Sequence, residues 1–431
     1  MKRSLSAQLA RNSLWILIAR IGAQVSMVIV TYLLARRLGA AGFGEYAFLA
    51  ATLVIGNTLT TFGSDMYLIR EIAAASAFSK LPAALLMQLA LSCLFIVLVY
   101  WFAPWMPNQT PESIAALQVY SFALLPLAFF TVFTSALRGQ QEMSAYAGLN
   151  LATSLLQVIA VAVLIQRGVG VVVLAYVLLV IQCVAAILGG VFCAPFLLEH
   201  WKMWRFSFQA AVDLFRACLP IALIAGLGIV YQKLSISMLS FLGGASMVGW
   251  FSAAVRTLEA ARTGHFAALT AIYPVMSESG GNREGMKTVR ASWLVLFGLA
   301  GVESIFLFLF ATDIVQVFFG GEYLPSIPVL KIVLFTLIPY TVNSFLSLAF
   351  LAARQEKVIA WILLASTLIL LFLNVWWIPR GGLIGAGWAI LTAETIQSVL
   401  FLLAWRIRFP WKTGNGILQN GISHELPDLP R

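Results

Sequence analysis

Arg256, Glu259, Arg262 and His265 recur at steps of three inside an otherwise largely apolar stretch. Side chains three residues apart are neighbours on a helix surface, so this row forms one slowly winding polar strip. Arg20 with Gln24, and Gln232 with Lys233, sit in two other apolar stretches. An ionised group at the middle of a bilayer costs on the order of 2.5–3.5 kcal/mol on insertion scales, so it normally faces protein or water. Glu259 is placed to neutralise Arg256 or Arg262 as a structural ion pair. One acid cannot neutralise Arg20, Lys233, Arg256 and Arg262 together, which points to a net cationic cavity for an anionic substrate. Arginine suits phosphate because its planar fork makes two parallel charge-assisted hydrogen bonds, although a carboxylate would answer the same charges. The candidate substrate-binding residues are therefore Arg20, Gln24, Lys233, Arg256 and Arg262.

The acids Glu259, Glu303, Glu394 and Asp65 are the candidates for coupling an ion to transport. Glu303 and Glu394 lie deep in apolar stretches, where a hydrogen-bonded helix-packing role is an equal alternative. Asp65 and Glu45 lie at opposite ends of one stretch, and an interfacial cap is the simpler role for both. Metal-ligand spacing, a Walker phosphate loop, a G-x-S-x-G elbow and a dinucleotide fingerprint are all missing from the sequence. No cofactor and no metal is expected, and a proton or sodium gradient is the expected energy source. Cys93, Cys183, Cys193 and Cys218 lie in or beside apolar segments without paired spacing and read as small buried hydrophobes.

These residues can be held in place only by a membrane fold. The chain is 61% hydrophobic and 10% charged, with mean hydropathy +0.93. Soluble domains carry about 25% charged residues, so this apolar excess needs lipid as its solvent. A spanning helix takes about 20 apolar residues. Spans are predicted near 12–35, 43–64, 82–103, 114–137, 145–166, 169–193, 215–240, 247–275, 291–311, 328–353, 358–378 and 383–405. The first begins after Met-Lys-Arg but is longer than a signal-peptide core, so it is expected to be retained. With the N-terminus inside, 18 of the 27 Lys and Arg fall in inside segments and 5 in outside segments. That asymmetry supports twelve spans with both termini cytoplasmic, and it accounts for the net charge of +10 without nucleic acid. Trp101, Trp105, Trp376 and Trp377 lie near span ends, as interfacial belt residues do.

The sequence also repeats itself weakly at offsets of about 205 to 215 residues. Leu38–Tyr46 resembles Leu242–Trp250, Arg138-Gly139-Gln140-Gln141-Glu142 resembles Arg354-Gln355-Glu356-Lys357, and Gly168-Val169-Gly170 resembles Gly381-Gly382-Leu383-Ile384-Gly385. The repeats predict an all-α protein of two pseudo-symmetric six-helix lobes, residues 1–200 and 201–411, with a linker near 194–214. The pseudo-two-fold would run along the membrane normal and the site would lie between the lobes. A polar cytoplasmic tail is expected over 412–431.

The ordered set of motifs resembles the polysaccharide (O-antigen type) flippases of the multidrug/oligosaccharidyl-lipid/polysaccharide exporter superfamily. It comprises Leu34-Ala35-Arg36-Arg37-Leu38-Gly39 with Gly42-Phe43-Gly44-Glu45-Tyr46, Leu68-Ile69-Arg70-Glu71-Ile72-Ala73, and Leu137-Arg138-Gly139. It continues with Gly249–Arg256, Phe319-Gly320-Gly321-Glu322-Tyr323 and Gly382–Ala389. The resemblance implies a cavity lined by spans 1, 2, 7 and 8, with Arg20, Lys233 and Arg256 where such proteins carry cavity cations. It implies transfer of an undecaprenyl-diphosphate-linked glycan across the bacterial inner membrane for lipopolysaccharide assembly. Polysaccharide polymerase and chain-length machinery would then be partners. Many members carry an acid two positions after the basic residue of span 7. Here Ser235 follows Lys233, which puts the usual coupling acid in question.

Three alternatives compete. A multidrug/cation antiporter of the same superfamily would have its substrate repelled by four intramembrane cations. A membrane-embedded polymerase or ligase would carry a large outer loop, whereas the longest outer segment here is near 312–327. A major-facilitator carrier would carry a G-x-x-x-D-R-type loop, which Gly63-Ser64-Asp65-Met66-Tyr67 does not match. Reporter fusions after Trp105, Gly244 and Gly381 are expected to read periplasmic, and fusions after Lys80, His200 and Lys357 cytoplasmic. A cytoplasmic signal at Gly244 would overturn this topology.

Overall fold

The computed structural model describes residues 2–75, 78–168, 170–200, 207–278, 283–353 and 355–408. The tail predicted over 412–431 lies outside them, as does part of the linker at 194–214. Every regular element described is helical. In order they are α1 (Lys2–Thr61), α2 (Ser64–Ala75), α3 (Leu81–Phe102), α4 (Pro111–Ser121), α5 (Leu124–Gly139), α6 (Met143–Gln166) and α7 (Val171–His200). There follow α8 (Phe208–Leu242), α9 (Ala245–Glu278), α10 (Arg283–Leu309), α11 (Ala311–Phe318), α12 (Ser326–Leu334), α13 (Leu337–Ala352) and α14 (Glu356–Arg408).

Among the described residues, seven helices are long and apolar enough to cross a membrane, or up to nine if two bent pairs each count as one span. Two of the seven are about twice the needed length, at 51 residues (Arg11–Thr61) and 53 residues (Glu356–Arg408). A straight helix of that length would run nearly 80 Å against a hydrocarbon core of about 30 Å. Each is broken by a glycine outside helical geometry: Gly39 at φ 67° in α1 and Gly382 at φ 51° in α14. Residues with a Cβ seldom adopt positive φ, so glycine marks where each rod folds back. The sequence map divides the chain near these two points. The outer faces of the helices are apolar, with Val97, Ile187 and Phe372 each more than 60% exposed, a pattern that suits lipid rather than water.

The residues fall into two compact units. The first is Met1–Trp250 with Phe318–Glu322, and the second is Phe251–Val317 with Tyr323–Arg431. In the first unit α1 packs along α6 and α8, and α5 packs against α7. It holds a core of Leu68, Ile72, Leu81, Leu137, Cys193 and Cys218. Beside it the Lys80 ammonium donates to the Tyr67 hydroxyl and to the Glu71 carboxylate. That hydrogen bond from Lys80 is the main cause holding the Glu71 carboxyl below its ordinary range. In the second unit α13 packs against α14 and α10, and α12 against α14 and α10.

The first unit also contains a reciprocal crossing. A Cβ on Gly44 would overlap the carbonyl of Ala245, and a Cβ on Gly249 would overlap the carbonyl of Ala40. Gly44 and Gly249 are 205 residues apart, as are Ala40 and Ala245. The positive-φ glycines Gly39 and Gly244 stand at the same offset. A contact that swaps partners under a constant offset is what a two-fold relation between the matching stretches requires. The loops that dock beside it follow the same exchange. Asn108 Nδ2 donates to the Phe241 carbonyl (2.6 Å) and Gln109 Nε2 to the Ser240 hydroxyl (2.8 Å), at the end of α8. The later loop turns to the break in α1: the Ala40 N–H donates to Glu322 Oε1 (2.8 Å), and the Trp250 indole donates to the Glu322 carbonyl (2.9 Å).

Further along, the register of the repeat becomes 213 to 214 residues. Leu124-Leu125-Pro126 opens α5 and Leu337-Ile338-Pro339 opens α13, while Gly168 and Gly382 both hold positive φ. Each proline follows a break, and the break between α12 and α13 bends by 42°. Proline cannot donate to the preceding turn, so a first-turn position just past a bend suits it.

Gly44→Ala and Gly249→Ala should each destabilise the protein by about 1–3 kcal/mol, because backbone must move apart to admit a methyl group. Gly298→Ala, in α10 with open space around it, should be neutral or slightly stabilising. Melting of the purified protein in detergent checks the contrast.

Candidate functional site

Helix α9 carries the polar strip, and two of its arginines find carboxylates inside the second unit. Arg256 Nη1 donates to Glu259 Oε2 at 3.0 Å, one turn along the same helix. Both side chains are about a quarter exposed. Arg262 reaches a different helix: its Nη2 donates to Glu394 Oε1 on α14 at 3.1 Å and to the Thr336 hydroxyl at 3.0 Å. The guanidinium stands 4.3 Å from the centre of the Tyr340 ring, within range for a cation–π contact. The sequence expectation that one acid faces four cations is thereby corrected. Two acids, Glu259 and Glu394, take up Arg256 and Arg262.

Glu394 is 4% exposed, and a buried carboxylate needs every available donor. Asn343 Nδ2 donates to Glu394 Oε2 at 2.8 Å, with the Glu394 carbonyl and Gln397 Oε1 farther off at 3.1 and 3.4 Å. The Ser398 hydroxyl has Asn343 Oδ1 at 2.9 Å, and the Glu394 and Pro339 carbonyls at 3.1 Å. Its single proton can serve one of them at a time. The network therefore joins α9, α13 and α14, with Thr336 contributed by the α12–α13 break. One donor in it is unmet: Arg262 Nε is enclosed without a hydrogen-bond partner, a deficit of about 1–3 kcal/mol.

The other predicted residues lie on other helices. Arg20 is exposed and Gln24 half-buried on α1, and Lys233 is half-buried on α8. Asp65 lies in the first turn of α2, where a negative charge meets the positive helix end. Glu45 accepts from the Thr110 hydroxyl at 3.2 Å. Glu303 is half-buried on α10. The side chain of His265 lies outside the described residues. No group of three or more metal-ligating side chains occurs among the described residues.

Thr336, Tyr340, Asn343, Gln397 and Ser398 were missed in the sequence. A signal for them exists. Thr336, Tyr340 and Asn343 follow spacings of four and three, and Glu394, Gln397 and Ser398 spacings of three and one, so each set lies along one helix face. Polar faces of that kind in apolar spans mark a shared interior.

The fold is that of the MOP-superfamily transporters. An inward-facing multidrug MATE-family transporter of that superfamily superposes with TM-score 0.70 at 16% identity, over 90% of this chain and 94% of its own. The lipid II flippase MurJ in an inward closed conformation gives 0.71 at 13% identity, over 91% and 87%. A MOP-superfamily transporter from Pyrococcus furiosus, reported to have a binding pocket of reverse polarity that suggests a different function, gives 0.66 at 15% identity, over 93% and 95%. No curated protein matches the sequence significantly. The family model described as polysaccharide biosynthesis protein matches residues 9–279, and the chain belongs to that family.

Arg262→Ala should cost about 3–5 kcal/mol, because it leaves a buried carboxylate unpaired. Arg256→Ala should cost less than about 1 kcal/mol, since its pair is partly exposed and lies within one helix. Melting of the two variants side by side reads the difference. Equal losses would contradict the assignment of Glu394 as the more dependent partner.

Proposed function

We propose that this protein is a flippase that carries a lipid-diphosphate-linked oligosaccharide, one repeat unit of a polysaccharide, from the inner to the outer leaflet of the bacterial inner membrane. The observation that carries this reading is the match to a polysaccharide-biosynthesis family on a chain whose fold is that of membrane transporters. Such a chain contributes to polysaccharide assembly by moving an intermediate across the bilayer. The likeness of fold to a lipid II flippase supports a lipid-linked glycan as cargo. An undecaprenyl-diphosphate carrier with an O-antigen-type unit, destined for lipopolysaccharide, is the specific form proposed. Both termini are cytoplasmic, and a polymerase with its chain-length machinery receives the product.

Arg20, Lys233 and Arg256 are proposed to receive the diphosphate, and Gln24 to assist by hydrogen bonding. Guanidinium groups suit this role because phosphate accepts two parallel hydrogen bonds from one fork. The step is driven by a proton or sodium gradient, with Asp65, Glu303 and Glu394 as the acids available to couple it.

In sealed vesicles holding a fluorescent lipid-diphosphate oligosaccharide, an imposed proton or sodium gradient should accelerate exposure of the label to an outside reagent, and ATP alone should not. Arg256→Ala should abolish transfer, and Arg256→Lys should restore part of it. Normal transfer by an Arg256→Ala, Glu259→Gln double variant would reduce Arg256 to a structural partner. Export of a lipophilic cation in place of the glycan would overturn the flippase reading.

A further inference from the structure

The Arg262–Glu394 contact is not needed to hold helices of this design together, because the first half of the chain builds the corresponding elements without it. The register is 213 residues at Leu124-Leu125-Pro126 against Leu337-Ile338-Pro339, and 214 at Gly168 against Gly382. It places Ala123, Leu127 and Phe130 where the second half has Thr336, Tyr340 and Asn343. It places Val180, Cys183 and Val184 where the second half has Glu394, Gln397 and Ser398. At the offset of 205, Asn57 corresponds to Arg262. Helices α5 and α7 pack closely in the first unit with apolar side chains at these positions. The charges of the second half were thus added to, or kept on, a scaffold that packs without them.

Arg262 is also held incompletely. One of its nitrogens, Nη2, serves both Glu394 and Thr336, while the enclosed Nε has no acceptor. The side chain is 19% exposed, against 5% for Glu394. The arginine therefore borders open space and the glutamate does not. Once the guanidinium leaves Glu394 and its Nε is uncovered, a phosphate oxygen pair meeting the Nε–Nη edge would satisfy both nitrogens at once, as the present arrangement does not.

We propose that Glu394 holds Arg262 in reserve and that an oxyanion of the substrate diphosphate takes the guanidinium from it, so that carboxylate and phosphate compete for one cation. Asn343 remains beside Glu394 and donates to the carboxylate after the arginine leaves. Arg262 is in this account a substrate ligand in one state and a counter-ion in the other. The proposal rests on the diphosphate reading of the substrate given above.

Equilibrium binding of inorganic diphosphate to the purified full-length protein in nanodiscs tests it. Glu394→Gln keeps a side-chain acceptor for Arg262 and Thr336's neighbourhood intact but removes the competing charge. It should tighten diphosphate binding about tenfold or more, the scale expected for a hydrogen bond to a charged group. Arg262→Lys preserves the charge pair with Glu394 but removes the fork, and should weaken binding several-fold. In the Arg262→Gln, Glu394→Gln double variant, which has no cation at this position to release, the gain should vanish. Unchanged or weaker binding by a folded Glu394→Gln variant overturns the proposal, as does full retention of the gain in the double variant. If Glu394→Gln does not fold, Arg262→Lys decides alone, and unchanged affinity there is fatal. Transfer of the lipid-linked glycan by the wild-type protein is read separately. Transfer without a Glu394 effect on diphosphate binding removes the handover only. The Glu394 effect without transfer removes the flippase reading only.

Discussion

The close backbone crossing at Gly44 and Gly249 is the constraint on which the first unit depends. Backbones can touch there only because neither residue has a Cβ. The contact fixes the angle at which the second arm of α1 meets the start of α9, and it sits directly after the break at Gly39. The loop residue Glu322 then closes the same corner by accepting from Ala40 and Trp250. Lipid offers helices no hydrophobic drive to associate, so small residues at crossings and hydrogen bonds at loops supply the attraction instead. The exchange of partners at a constant offset shows that this corner was built twice from one pattern.

The second unit departs from that pattern through charge. Its α13–α14 packing carries a buried carboxylate, an amide pair and a cross-helix arginine, where the first half carries apolar side chains at corresponding positions. A buried ion pair of this kind contributes little net stability, since desolvation offsets most of the attraction. Its presence in only one half fits the proposed work on a charged cargo.

Much of the fold was legible in the sequence because its signals are local. Apolar runs gave the helices, and glycines at repeated positions marked Gly39 and Gly382, where two long helices break. The span count was less legible: α9 carries Arg256, Glu259 and Arg262 and falls short of the hydropathy of a simple span, and two other spans are bent pairs. The site was legible only in part. Arg256 and Glu259 are a turn apart and their pairing follows from spacing. Arg262 and Glu394 are 132 residues apart, and no periodicity in either helix announces that they meet. Glu322 was visible as part of a loop motif, yet its contact with Ala40 spans 282 residues. Long-range pairing in a bundle is set by packing, to which a single sequence gives no direct access.

The central claim is that this protein moves a lipid-diphosphate-linked glycan. It is tested most directly in cells depleted of the protein, by measuring which leaflet holds the lipid-linked repeat unit with a periplasmic enzyme that trims exposed sugar. The account predicts that the intermediate accumulates and resists trimming on depletion, and that re-expression of the wild-type chain restores access. An intermediate that stays fully accessible throughout depletion would contradict it.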